Sequence, residues 1–426
     1  MGSNMLATPE IIREAAQPSR LQKLLPEWQQ VPIYRNYPFQ AVGGGTGDAN
    51  RLAGFEQLPF TSKQEIRRDF PGNFLRPGQS LERLLEQDLV ELEHTSGTSD
   101  DQLSVLFRRG WWDHQEERAL RLNPFVGRIL ESQPDVRRAT LTTPACGGRV
   151  CFSAWRSRAY RTTGKTLFVN QARIPFILKD DEMGRMAAEI ADWSPQFLEV
   201  DPVHGAWFAL YCERQGIRFP SLRFVLCSYE FLSVVHRRIL QRVFGLPVFN
   251  LYGSTETGHL LMEDEQGEMK SCCENAFLEV IEPDARGRGE LVATTLTNDY
   301  MPLIRYRIGD LVERHERPYE TAYIVHGRLR DLLRDQSGRR VTTWEADQCF
   351  IGIGGIAHYQ LRQANDGVCR LRFVPDGNGP SAKELKGLVS RLETLLQPPD
   401  RIEVEAMSLL SPTPSGKFRL TSSAAS

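Results

Sequence analysis

Four short segments carry residue types suited to chemistry on a phosphorylated substrate. Thr95-Ser96-Gly97-Thr98-Ser99 is a run of small hydroxyl residues around a glycine. Its N–H groups and hydroxyls can surround phosphate oxygens, although an ordinary turn has the same composition. Tyr252-Gly253-Ser254-Thr255-Glu256 puts an aromatic face, two hydroxyls and one carboxylate into five residues, enough to stack a base, touch a phosphate and hold a magnesium ion through Glu256. The same string also suits a strand-to-helix turn capped by Ser254 or Thr255. Arg305-Tyr306-Arg307-Ile308-Gly309-Asp310 places a carboxylate just past a glycine, where it can accept hydrogen bonds from ribose hydroxyls, with a plain Gly-Asp turn as the alternative. Ser411-Pro412-Thr413-Pro414-Ser415-Gly416-Lys417 mounts a lysine on a proline-stiffened loop, suited to delivering a point charge to an anion or simply to solvent. The usual nucleotide fingerprints are missing: Gly164-Lys165-Thr166 has Ala159 in place of the first Walker glycine, and the glycines at 43–47 are followed by Asn50 where the dinucleotide pattern needs a third glycine.

The elements that must hold these segments are readable from periodicity. Leu81, Leu84, Leu85 and Leu89 recur at helical spacing, then Val90, Leu92 and His94 alternate with glutamates, so a helix feeds a strand that runs into the 95–99 loop. Leu232, Val235, Ile239 and Val243 mark a helix closed by Gly245, and Pro247 to Leu251 reads as a buried strand entering the Tyr252 loop. Helices alternating with short apolar strands predict α/β layering with chemistry at the strand ends. From Leu291 to Val312 the pattern is β-rich. The tail predicts strands at His358–Gln363 and Arg370–Val374, a helix with a Ser381/Glu384 capping box ended by Pro398 and Pro399, and a last strand at Ile402–Met407. We expect two domains: a large N-terminal α/β domain, 1–327, and a small mobile C-terminal α+β domain, 328–426, carrying Lys417.

At 426 residues the chain exceeds the ~150 residues of a typical domain, and 52 basic against 54 acidic residues leave a net charge of -2. That balance, with 41% hydrophobic residues, disfavours disorder and nucleic-acid binding. No apolar run approaches the roughly 18 residues of a membrane span and the start lacks a signal-peptide core, so a cytoplasmic protein with reduced cysteines is expected. Its eight cysteines include no CxxC pair.

The order of the segments is more specific than any one of them. Thr-Ser-Gly-Thr, Tyr-Gly-Ser-Thr-Glu, Tyr-Arg-Ile-Gly-Asp, then Gly327-Arg328-x-x-Asp331 and Pro-Ser-Gly-Lys resemble the adenylate-forming superfamily of acyl-CoA synthetases and adenylation domains. Within it, Val31-Pro32-Ile33-Tyr34-Arg35, Leu58-Pro59-Phe60-Thr61-Ser62-Lys63 and the stretches 289–296 and 301–306 are most similar to the phenylacetate-CoA ligase branch. The resemblance implies ATP-dependent activation of a carboxylic acid, expected to be aromatic, as acyl-AMP with release of pyrophosphate, followed by transfer to a thiol, chiefly CoA. It places Ser96, Gly97 and Thr98 along the ATP phosphates, Tyr252 with Gly253 and Ser254 beside the adenine, Thr255 on the α-phosphate and Glu256 on Mg2+. Asp310 would take the ribose hydroxyls with Arg328 nearby, and Lys417 would bridge the carboxylate and the α-phosphate. The implied partners are a small carboxylic acid, ATP, and CoA or a carrier-protein thiol, without nucleic acid or membrane; a homodimer stays open.

Departures from the family pattern bear on the second half-reaction. Ser99-Asp100-Asp101-Gln102 stands where relatives carry Thr-Gly-Lys-Pro, Arg330 where they carry a hinge Asp or Lys, and 334–340 matches poorly around Gly338. An adenylate-forming enzyme that uses another oxyanion or another acceptor, such as a carrier-protein thiol, an amine or nitrite, is therefore the alternative, and an inactive nucleotide-binding protein a remote one. Three further groups invite a role: Asp201 and His204 near the family's acyl pocket or as a helix cap, the cation-aromatic cluster from Trp155 to Lys165 for CoA phosphates or nucleic acid or as a solvated face, and Cys227, His259, Cys272 and Cys273 for zinc or as buried hydrophobes.

Overall fold

A computed structural model of the chain describes residues 9–42, 54–95, 102–133, 135–141, 157–170, 179–317, 320–413 and 417–424, and all side chains among them except those of 9–16, 317 and 320. The chain divides into two compact units, Met1–Arg128 with Leu251–Ile308 and Val312–Ile324, and Ile129–Asn250 with Gly309–Leu311 and Val325–Ser426.

The core of the first unit gathers Leu21, Trp28, Tyr34, Phe55, Phe74, Phe107, Met301 and Tyr306. As the periodicity predicts, a helix Leu81–Glu86 leads into the strand Val90–His94, which pairs antiparallel with Ser104–Arg108. The 95–102 connection is pinned at its base, where Thr95 donates its N–H to the Leu103 carbonyl at 2.8 Å and Leu103 donates its own to Thr95 Oγ1 at 2.9 Å. A largely antiparallel sheet follows, in the order Ala276–Ile281, Arg288–Thr295, Tyr306–Arg317, Glu320–Arg328, Met269–Ser271, Gly258–Glu263 and the end of Val248–Ser254.

In the second unit the predicted α/β alternation is present. Arg138–Thr140, Thr166–Phe168, Phe197–Val200, Phe224–Cys227 and the start of Val248–Ser254 pair in parallel, interleaved with the helices Asp180–Trp193, Pro202–Gln215 and Val234–Phe244. Phe197–Val200 and Phe224–Cys227 are buried at every position, as parallel strands covered on both faces must be. Gly205 lets the second helix settle on its strand, since a Cβ there would lie 2.6 Å from Val200 Cγ2.

The tail of the same unit is a four-stranded sheet, Glu403–Ala406, Cys369–Pro375, Ile356–Gln363 and Thr421–Ser423, with the helix Ala382–Leu396. The Ser381/Glu384 capping box is present, and the helix stops at Gln397 in a left-handed conformation just before the two prolines. Leu388, Leu392 and Leu396 share one core with Val235, Ile239 and Leu240 of the helix Val234–Phe244. Among the described residues no helix is long and apolar enough to cross a membrane.

Candidate active site

Tyr252 to Glu256 end a strand and begin a β-turn. The next element is the strand Gly258–Glu263 and not a helix, which removes the strand-to-helix alternative. Gly253 is required by closure of this hairpin, because a Cβ would sit 2.2 Å from the Gly258 carbonyl oxygen. Thr257 donates its N–H to Ser254 Oγ at 3.2 Å, and the two hydroxyls lie 3.0 Å apart, so Ser254 shapes the turn from within. Tyr252, Ser254 and Thr255 are partly buried, Gly253 is exposed and Glu256 is buried.

Glu256 is held from two sides. Tyr306 donates its hydroxyl to Glu256 Oε1 at 3.1 Å, and Lys63 Nζ lies 3.6 Å from the same oxygen. Both partners are set by one strand-like contact: Thr61 donates its N–H to the Arg305 carbonyl at 3.1 Å and accepts from the Arg307 N–H at 3.2 Å. A Ser62/Glu65 capping box then starts the helix Lys63–Arg68, placing Lys63 at its first position. The Lys63 ammonium is part of the site and was missed by sequence reasoning, although Lys63 lies in one of the segments that carry the family resemblance.

Asp310, Arg328 and Lys417, far apart in sequence, belong to the second unit. Arg328 Nε lies 3.8 Å from Asp310 Oδ1. Lys417 is tied to Thr413, which donates its N–H and hydroxyl to the Lys417 carbonyl at 2.8 and 3.0 Å while Lys417 donates its N–H to Thr413 Oγ1 at 3.2 Å. The following residue, Phe418, donates its N–H to both oxygens of Glu230, at 3.1 and 3.2 Å. Burial, then the nearby Asp201 carboxylate, push Glu230 well above the usual carboxylate range, opposed by Lys417, the Phe418 N–H and Arg328. Glu230 thus marks a point where three charged groups of the unit converge. It too was missed, since a lone glutamate after the strand Phe224–Cys227 gives no sequence signal. Its neighbour Tyr229 has a φ of 73°, unusual for a ring-bearing residue, and donates its hydroxyl to Glu199 at 3.0 Å.

Ser96, Gly97 and Thr98 lie outside the described residues, as do Trp155 and Arg156. Within the rest of that cation-aromatic cluster, Arg161 is not on a solvated face. Its side chain is 1% exposed and pairs with Glu189 at 2.6 Å, so it is a core ion pair. Asp201 is a helix cap, accepting from the N–H groups of Val203 and His204 at 3.0 Å each, and from His204 Nδ1 at 2.9 Å. Cys227, Cys272 and Cys273 are buried, and among the described residues no group of three or more His, Cys, Asp and Glu side chains is arranged to hold a metal ion.

No protein-family model matches the chain. It is 25% identical over 331 residues to the phenylacetate-coenzyme A ligase of Pseudomonas putida, covering 72% of this chain and 68% of that protein. It is 26% identical over 313 residues to the enzyme of the same name from Escherichia coli (strain K12), covering 70% and 66%. The chain thus spans about two thirds of the length of the curated relatives it matches. Among solved structures, it is similar to 2-hydroxyisobutyryl-CoA ligase in its postadenylation state with R3-HIB-AMP, at a TM-score of 0.70 and 18% identity, covering 98% of this chain and 91% of that one. An anthranilate CoA ligase with anthranoyl-AMP matches at a TM-score of 0.55 and 16% identity over 77% and 65%. The resemblance to the phenylacetate-CoA ligase branch is borne out, and the α/β fold is that of the acyl-CoA ligases.

Proposed function

We propose that the protein is an AMP-forming acid-thiol ligase: a carboxylate oxygen attacks the α-phosphorus of ATP, pyrophosphate leaves, and a thiol, chiefly that of CoA, then takes the acyl group and releases AMP. The observation that supports this reading is that Arg328 lies 3.8 Å from Asp310 and, with Lys417, acts on the same buried Glu230 carboxyl, so that three residues far apart in sequence meet in one unit. The names of the curated relatives, both phenylacetate-coenzyme A ligases, favour an aromatic acid.

In this reading Lys417 places its ammonium between two anions that repel each other, the attacking carboxylate and the α-phosphate, and lowers the barrier most where charge builds up. Asp310 accepts the ribose hydroxyls while Arg328 limits its charge, Tyr252 stacks on the adenine beside Gly253 and Ser254, Thr255 donates to the α-phosphate, and Ser96, Gly97 and Thr98 line the remaining phosphates. Glu256 would hold Mg2+. One carboxylate with its Oε1 already engaged by Tyr306 and Lys63 fits an ion that keeps several waters and completes its shell with substrate phosphates. Bound there, magnesium would neutralise phosphate charge.

We also propose the functional boundary at 327/328, with 1–327 binding ATP and acid and 328–426 moving between half-reactions, and the cytoplasm, where ATP and CoA are supplied, as its location. Asp100, Asp101 and Arg330 favour a second reading, in which the acceptor is a carrier-protein thiol, an amine or nitrite. Pyrophosphate release across a panel of aryl carboxylic acids, with and without CoA, tests both. An acid-dependent release is expected, with acyl-CoA detected by mass spectrometry. Acyl-AMP without acyl-CoA at saturating CoA would move the assignment to the second reading, and no release with any acid would end it.

A further inference from the structure

Lys417 acts only if its loop holds it in register, and the side chain that follows it is bound more tightly than a loop of this composition requires. The ring of Phe418, 7% exposed, is met edge-on by three others: His204 at 5.4 Å, Trp207 at 5.4 Å and His358 at 5.3 Å between ring centres. Its backbone N–H is shared by the two oxygens of Glu230. The cage is itself oriented by hydrogen bonds. Asp201 fixes His204 at Nδ1, and Ser233, His236 and His358 form a chain with separations of 3.1 and 3.0 Å. Together with the Thr413 contacts, the backbone on either side of the Lys417 Cα is held by hydrogen bonds, to Thr413 before it and to Glu230 after it.

We propose that Phe418, seated in the His204–Trp207–His358 cage and hydrogen-bonded to Glu230, is the anchor that positions Lys417 for the adenylation step. This rests on the role given to Lys417 above. Glu230 touches neither substrate nor reacting atoms in this account; it is a positioning residue that acts through the Phe418 N–H. The physical reason is geometric, because a displacement of about 1 Å in a charge-delivering group costs on the order of a hundredfold in rate.

The test compares Glu230→Ala, Glu230→Gln and Phe418→Leu by acid-dependent ATP–pyrophosphate exchange, by acyl transfer from supplied acyl-AMP to CoA, and by amide hydrogen exchange of a peptide spanning 411–420. Glu230→Ala and Phe418→Leu are expected to lower kcat of the exchange reaction by at least about tenfold, with KM for ATP and the rate of acyl transfer unchanged. Glu230→Gln keeps an acceptor oxygen and holds the wild-type rate. The Phe418 amide exchanges slowly in the wild type and in Glu230→Gln, and fast in Glu230→Ala. A wild-type exchange rate in Glu230→Ala, or a Phe418 amide that stays protected in it, overturns the proposal. If the wild type makes no acyl-AMP at all, the ligase reading fails on its own, and amide exchange still decides whether Glu230 anchors Phe418.

Discussion

Glu256→Gln separates a structural from a metal-binding role for the buried carboxylate, because the two roles predict different changes. At 3.6 Å, the Lys63–Glu256 pair is worth about 1 kcal/mol in bulk water and about 5 kcal/mol at an effective dielectric constant of about 20. The Lys63 side chain is 31% exposed and that of Glu256 7%, so solvent at one end keeps the pair near the lower bound. Adding the weakening of the Tyr306 hydrogen bond once its acceptor is neutral, the substitution should cost about 1–2 kcal/mol in urea denaturation. If Glu256 also holds magnesium, the magnesium midpoint for pyrophosphate release should rise by about tenfold or more, equivalent to ~1.4 kcal/mol of lost binding. Lys63→Met provides the opposite sign, since it removes a cation that competes for the same oxygen, and should lower that midpoint. A Glu256→Gln protein that is less stable by the expected amount yet has an unchanged magnesium titration would make Glu256 purely structural and refute the metal assignment.

If Lys417 acts as proposed, Lys417→Ala should retain ATP binding by calorimetry while losing about a hundredfold or more in adenylation rate, because a charge placed for the transition state matters little to ground-state binding; exchange at the wild-type rate would remove Lys417 from the mechanism. The acid side of the stability profile should be governed in part by buried imidazoles. Burial pushes His236 down to about 3, assisted by Arg238 and His204, and burial with His236 pushes His358 well down as well. Both are neutral in the folded state, whereas the unfolded chain takes up protons near pH 6.5, so stability should fall as pH drops below about 6.5, by up to ~1.4 kcal/mol per pH unit for each. Urea denaturation between pH 7.5 and 5 should show a shallower loss in His236→Gln, and equal slopes would argue that the pair is not neutral.

Much of this architecture was legible because periodicity and caps act locally. The strand that enters the Tyr252 turn, the strand ending at His94 and the Ser381/Glu384 helix each follow from residues within a few positions of one another. The helix at Leu81 shows the limit. Of the four leucines in the periodic stripe only Leu84 is buried, with Leu85 and Leu89 more than 40% exposed; the helix already ends at Glu86 and Asp88 is left-handed, so Leu89 falls outside it. The Tyr252 turn was ambiguous for a similar reason: small hydroxyl residues suit both a helix cap and a tight hairpin, and only the pairing of Tyr252 with Leu261 decides between them. Lys63, Glu230 and Phe418 were invisible because their importance lies in long-range contacts, across 193 positions for Lys63 and Glu256 and 188 for Glu230 and Phe418.

The segment 334–340, which matches the family pattern poorly around Gly338, has a local physical solution of its own. Leu333–Arg334 pairs with Arg340–Val341, and Asp335 closes the turn between them by accepting from the Ser337 and Arg339 N–H groups at 2.9 Å each, from the Ser337 hydroxyl at 2.7 Å and from Arg339 Nε at 2.9 Å. Gly338, with a φ of 84°, supplies the left-handed residue that such a turn needs. These bonds hold the Asp335 carboxyl below its ordinary range, led by the Ser337 hydroxyl. The departure is therefore a compact hairpin that satisfies itself, and it does not signal decay of the fold around it. It follows Arg330 by only a few residues. A chain that keeps Asp310, Arg328 and Lys417 while rebuilding this turn has kept the residues assigned to acid activation and altered the stretch assigned to the acceptor, which is why acceptor identity, more than adenylation, is where this protein should differ from its relatives.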